Sequence, residues 1–238
     1  MSHTTIDIRR AAERFETRLP WLESRHSFSF GDHYDPANTH HGLLLVSNDD
    51  IVRAGTGFST HPHEDMEIVT WVLDGQLEHK DSEGNVGVIY PGLAQRMSAG
   101  TGIWHSEMNP SGEKDVHFVQ MWVRPNTERI EPGYEQLDIN GELLKGGLVP
   151  VASGRDHDAA ISIRQREAVL WGGRLRPGEV VRLPDARHVH PFVARGAVDL
   201  EGAGRLGAGD AARLTSAGTP ALTADTATGA EVLLWETG

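Results

Sequence analysis

The sequence predicts an all-β protein folded as two antiparallel β-barrel lobes. Short runs of β-branched and aromatic residues are broken by glycine, proline or Asx about every 8–12 residues, as a sandwich or barrel requires. The 27 glycines and 12 prolines are spread along the chain rather than gathered into one linker. A length of 238 residues also accommodates two β domains of about 100–120 residues, each able to bury a core.

Taken in order, residues 7–18 (DIRRAAERFETR) carry the one helical suggestion in the chain. Strands are expected over residues 43–46, 67–73, 76–81, 86–90, 94–98 and 116–123. EIVTWVL and QLEHKD read as a hairpin with Asp74-Gly75 at its tip, where glycine supplies positive φ. A looser turn is expected over DSEGN, residues 81–85. Residues 126–158 are mixed and polar, with Pro132-Gly133 and Gly146-Gly147, and read as a connector between lobes. Strand texture resumes with AISIRQ, AVLWGGRL, EVVRL, HPFVARG, AVDLEG and EVLLWE. The expected division is an N-terminal lobe of residues 1–135 and a C-terminal lobe of residues 136–238.

The absence of cysteine excludes disulfides, thiolate metal sites and cysteine nucleophiles. Any metal site must be built from imidazole, carboxylate and water. A formal charge of −12 disfavours direct binding to nucleic acid or anionic membranes, although several arginines cluster between Arg9 and Arg25. No apolar stretch approaches the roughly 18 residues of a spanning helix, and the first residues lack the apolar core of a signal peptide. A cytoplasmic protein is expected.

Two short motifs carry the chemistry. In GTGFSTHPHEDME, His61 and His63 are spaced i, i+2, so on a strand both rings leave the same face. With 13 histidines in the chain, about one such H-x-H is expected from composition alone. The motif gains weight from AGTGIWHSEMN, where His105 and Glu107 repeat the spacing about 40 residues downstream. Two such strands meeting in a small barrel would offer three nitrogens and one carboxylate to a single divalent cation. That donor set suits Fe(II), Mn(II), Ni(II) or Cu(II), with Zn possible, over the all-oxygen preference of Mg and Ca.

The spacings G-x5-H-x-H-x3-E (55–67) and G-x2-H-x3-N (102–109) resemble the two cupin motifs. More narrowly, RHSFSFGDHYDP, THPHEDMEIVTWVLDGQLEHKDSEGN, QRMSAGTGIWHSEMNP and VHFVQMWVRP are similar to the pirin family from about Trp21 to Gln136. The resemblance implies a bicupin fold with metal in the N-terminal lobe only, on His61, His63, His105 and Glu107. Ordinary cupins would place the acidic ligand at Glu67, which is also present; sharing a face with His105 favours Glu107. Ala94 and Gly100 depart from the general cupin pattern. The implied activity is opening of the heterocyclic ring of a quercetin-like flavonol by O2, with Glu107 moving the hydroxyl proton. The alternative is a non-enzymatic, iron-binding redox regulator acting through a protein partner. A third reading is another cupin enzyme acting on a small enolisable acid.

Other residues have plainer expected roles. Glu67 is expected to hydrogen-bond a ligand histidine, Glu64 and Asp65 to sit in a solvated turn, and His33 to lie on a surface loop. His117 is expected to be a satisfied structural histidine and Trp104 a packing residue. His188 and His190 stand where a second cupin motif would begin, but no later histidine completes a site.

Overall fold

The structure, a computed structural model, describes residues 4–155 and 158–238; Asp156 and His157, within the expected connector, lie outside them. Among the described residues the architecture is all-β apart from a 3-10 turn at Ala11–Glu13 and one helical turn at Asn140–Leu143. The N-terminal lobe sets a seven-stranded sheet against a four-stranded one. The larger runs Gly133–Asp138, Leu93–Ser98, Glu67–Asp74, Val116–Val123, Leu44–Val52, Leu22–His26 and Phe15–Leu19 from edge to edge. The smaller runs Gly57–His63, Ile103–Met108, Leu77–Asp81 and Val86–Ile89.

The C-terminal sheet is ten-stranded. Its longest strand, His188–Leu200, pairs with Ala230–Thr237 and Ala211–Thr215 over its first half and with Gly204–Gly207 and Ala221–Ala224 over its second. A bulge between Val193 and Arg195 lies between the two halves, where such an irregularity lets one strand bend from one face of a lobe to the other. Leu175, Val189, Val198, Leu206 and Leu234 fill the space so enclosed.

The expected helix over 7–18 is not formed. Thr5–Arg9 and Phe15–Leu19 are strands, separated by the 3-10 turn. Thr5–Arg9 pairs with Ala211–Thr215, and Phe15–Leu19 with Leu22–His26. The first partner lies some 200 residues away, so no local pattern announces it. The expected connector likewise contains two strands. Gly133–Asp138 closes the edge of the N-terminal sheet against Leu93–Ser98, and Val149–Ser153 joins the C-terminal sheet against Ala168–Leu175.

Glu67–Asp74 explains its own composition. Its even positions Ile68 and Val72 fill the N-terminal lobe, while Val69, Trp71 and Leu73 face outward into the core between lobes. A strand buried on both faces reads as a continuous apolar run rather than an alternation. The core between lobes also takes Phe28, Leu44, Met121, Phe192, Leu233 and Trp235, and Trp71 Nε1 donates across it to Glu231 Oε1 at 2.9 Å.

Candidate metal centre

Gly57–His63 and Ile103–Met108 are antiparallel neighbours, with His105 opposite His61 and Ile103 opposite His63. Cross-strand partners on one face stand side by side, so the two motifs meet. The ring centroids are 4.5 Å apart for His61 and His105, 4.9 Å for His61 and His63, and 5.0 Å for His63 and His105. One nitrogen from each ring falls in a group whose members lie within 4.8 Å of one another. Gly57 permits this approach: a Cβ there would lie 2.2 Å from the Glu107 carbonyl oxygen.

Two of these imidazoles, His63 and His105, are poised as neutral ligands. His61 Nδ1 donates to the Ser59 carbonyl at 2.7 Å, which fixes the ring and leaves Nε2 as the nitrogen available to a metal. The Nε2 atoms of His63 and His105 are buried without a hydrogen-bond partner. Burial, reinforced by the neighbouring rings, holds His63 down to about 4 and His105 to about 3. Buried nitrogens lacking any partner, converging as neutral donors, fit a divalent transition metal.

Glu107 shares the buried inner face of its strand with His105 but lies outside the group of three. Both its oxygens accept from Gln120 Nε2 at 2.9 Å, and Gln120 Oε1 in turn accepts from Trp122 Nε1 at 3.2 Å. Glu67 points the other way, on the face of Val69 and Trp71. Its Oε2 accepts from Ser98 Oγ at 2.9 Å and the Arg164 N–H at 3.0 Å. The expected bond from Glu67 to a ligand histidine is replaced by these.

Behind His105 lies a pair that sequence reasoning passed over. His79 Nδ1 stands 3.5 Å from His105 Nδ1, and His79 Nε2 is 3.0 Å from Asp81 Oδ2. Both side chains are buried. Their signal was legible, since His79 and Asp81 are also spaced i, i+2 on a strand.

In front of the centre, a cavity of about 190 Å³ is lined by Leu22, Phe30 and Phe58 on its apolar side and by His26, Asp50 and Gln120 on its polar side. Trp122 connects it to the histidines, packing edge-on 4.9 Å from His63 and 5.5 Å from Phe30. Asp50 is buried, accepts a short hydrogen bond from Ser24, and is pushed up to about 7 by burial. Asp50, Phe30 and Gln120 were likewise missed, because they come from strands and a loop whose convergence only the fold reveals.

The remaining candidates divide. His117 Nε2 meets Asp49 Oδ1 at 2.5 Å, the structural role expected. His33 is half-buried, stacked on Phe15 at 5.2 Å. Glu64 is exposed, but Asp65, at φ 45°, accepts from the Arg129 N–H at 2.5 Å and so holds structure. Trp104 is 55% exposed, on the outer side of a strand whose inner side carries His105, rather than packed. His188 and His190 meet His41, not each other's metal geometry, and join no metal-binding group among the described residues.

Comparison with known proteins agrees over both lobes. Residues 7–123 match the Pirin family model, and residues 150–237 match a model described as the quercetinase C-terminal cupin domain. The chain is 60% identical over 98% of its length to a Mycobacterium tuberculosis protein named "Putative quercetin 2,3-dioxygenase", covering 95% of that protein. It is 40% identical to the quercetin 2,3-dioxygenase of Escherichia coli over 83% of this chain and 84% of that one. Among solved structures, the bacterial pirin YhhW of Escherichia coli in complex with nickel(II) superposes with a TM-score of 0.90 at 36% identity, covering 98% of this chain and 99% of the other. A quercetin 2,3-dioxygenase from Acinetobacter baumannii shares the fold at a TM-score of 0.69 and 21% identity, over 94% and 85% of the two chains.

Proposed function

Because this chain belongs to the pirin family, we propose that it is a metal-dependent dioxygenase opening the ring of quercetin-like flavonols with O2. The observation that carries the reading is the convergence of His61, His63 and His105, two of them with buried, partnerless Nε2 atoms, beside a cavity walled by Phe30 and Phe58. The names of the relatives support the substrate class. We assign the metal to His61, His63, His105 and Glu107, with Fe(II) preferred and Mn, Ni, Cu, Co or Zn as alternatives.

When bound, the metal supplies Lewis acidity that lowers the pKa of a coordinated enol hydroxyl. Around it, the residues have separable tasks. Phe30 and Phe58 offer apolar surface to a flat ring system. Glu107, released from Gln120 Nε2, accepts the proton of the flavonol hydroxyl; the Trp122–Gln120 pair keeps its carboxylate oriented until then. Asp50, protonated up to about pH 7, presents an O–H rather than a negative charge to the substrate oxygens. His79 and Asp81 hold the His105 ring in place.

The test is anaerobic incubation of metal-loaded protein with quercetin, followed by admission of oxygen. Loss of the flavonol absorption band with release of one carbon monoxide per molecule is expected. Absence of bleaching with Fe, Mn, Ni, Cu and Co alike would sink the proposal. Metal analysis of protein from its own host identifies which ion is native.

A further inference from the structure

A second cluster lies away from the histidine centre, in the seam between lobes. Arg14 and Arg213 are both buried there. Arg213 lies over the Phe28 ring at 4.5 Å and Arg14 over the Phe192 ring at 5.3 Å. His190 packs 5.6 Å from the same Phe28. Arg213 Nη2 donates to the Ser27 carbonyl at 2.9 Å and to Asn38 Oδ1 at 2.5 Å. Ser27, Asn38 and Arg14 in turn line a cavity of about 230 Å³.

Two features of this seam call for a ligand. Five buried polar atoms in it have no hydrogen-bond partner: Arg14 Nε and Nη1, Arg213 Nε, Ser27 Oγ and His190 Nε2. Moreover, Arg213 has no carboxylate within ion-pair distance among the described residues, and Arg14 spends only Nη2 on its one acidic partner, Asp49. Guanidinium groups donate and never accept, so the missing partner must bring acceptor oxygens. Water can satisfy such donors but cannot compensate a buried cation, which is among the costliest arrangements in a protein interior. The acids that line the cavity are otherwise engaged: Glu13 Oε2 accepts from the Arg10 N–H, and Asp35 Oδ1 from the Ala37 N–H.

We propose that the seam binds a small oxyanion, a carboxylate or inorganic phosphate, on Arg14, Arg213 and Ser27. The site is independent of the metal reading and ties residues of both lobes to one ligand. His26 lines both this cavity and the one before the histidine centre, so the anion sits one side chain away from the proposed substrate space.

The experiment is thermal unfolding of the full-length, metal-loaded chain in inorganic phosphate, malonate and chloride at matched ionic strength, with calorimetric titration of phosphate and of malonate. An oxyanion present at about a hundred times its dissociation constant should raise the midpoint on the order of 5 °C. Chloride should do little. Which of phosphate and malonate binds more tightly identifies the ligand class. Arg213→Gln should abolish the shift, and Arg14→Lys, which keeps the charge but loses Nε and Nη1, should weaken binding at least tenfold. Equal shifts in all three salts, no saturable heat in the unmodified protein, or an undiminished phosphate response in Arg14→Lys would each overturn the proposal. Because both variants leave the histidine centre intact, a phosphate response that survives them would come from the metal and also count against it.

Discussion

Each lobe carries one H-x-H pair on a strand, yet the two pairs face opposite ways. His61 and His63 turn into the N-terminal lobe, where His105 meets them across the strand pair. In the C-terminal lobe, Val189 and Val193 take the inward positions, and His190 shares the outward face with Phe192, which packs in the core between lobes. The i, i+2 spacing settles that two rings share a face; it does not settle which face. A register change of one residue separates a candidate metal centre from an interdomain contact. The C-terminal interior is left to aliphatic side chains.

The sharpest way to break this contrast is by substitution of the histidines themselves. His63→Ala or His105→Ala should lower metal affinity beyond the roughly 10–100-fold typical of losing a supporting partner, whereas His190→Ala should leave metal content unchanged. Elemental analysis after competition with a chelator reads both, and equal losses would erase the distinction between lobes. A smaller effect is expected one layer back. His79→Phe or Asp81→Asn should cost about 10–100-fold in metal affinity, measured by the same competition.

Trp71→Phe tests the junction instead of the centre. It deletes the donor to buried Glu231, and the expected cost is about 1–3 kcal/mol in denaturant unfolding, with metal affinity unaltered. The smallest effect is a slope in pH. The fold keeps His63 and His105 neutral down to about 4 and 3, while the unfolded chain protonates them near 6.5. Stability of the metal-free protein from these groups is therefore complete above about pH 6.5 and is lost as pH falls through the folded values. Asp50, raised to about 7, acts oppositely: its contribution is complete below about pH 3.8 and is lost as pH rises through 7. Asp50→Asn should consequently steepen the gain in stability between about pH 4 and 7, and an unchanged slope in urea titrations across that range would refute the assignment.

Much of the N-terminal lobe was legible because its signals are local. EIVTWVL forms the strand expected of it, and Gly75 at the hairpin tip adopts φ 79°. The pairing of His61 and His63 with His105 followed from alternation on two strands. Glu107 shares the inward face with His105, as its spacing suggested, while Glu67 faces the seam. What the spacing could not supply was the rotamer that sets Glu107 on Gln120, because that bond joins strands whose adjacency is a property of the sheet order. The strand character of residues 5–9 was hidden for the same reason: Ile6 and Ile8 pack with C-terminal residues far beyond any sequence window. His79 and Asp81 were overlooked although their pattern was visible, since a charged H-K-D run reads most simply as a solvated strand.

The pairing of Thr5–Arg9 with Ala211–Thr215 bears on biosynthesis. A chain emerging from the ribosome exposes residues 5–9 some 200 residues before their partner strand has been made. Contacts of such long sequence separation form late and slow folding. The strands of the two histidine-bearing sheets lie within residues 15–138, so all of them are made before residues 5–9 can be stitched onto Ala211–Thr215.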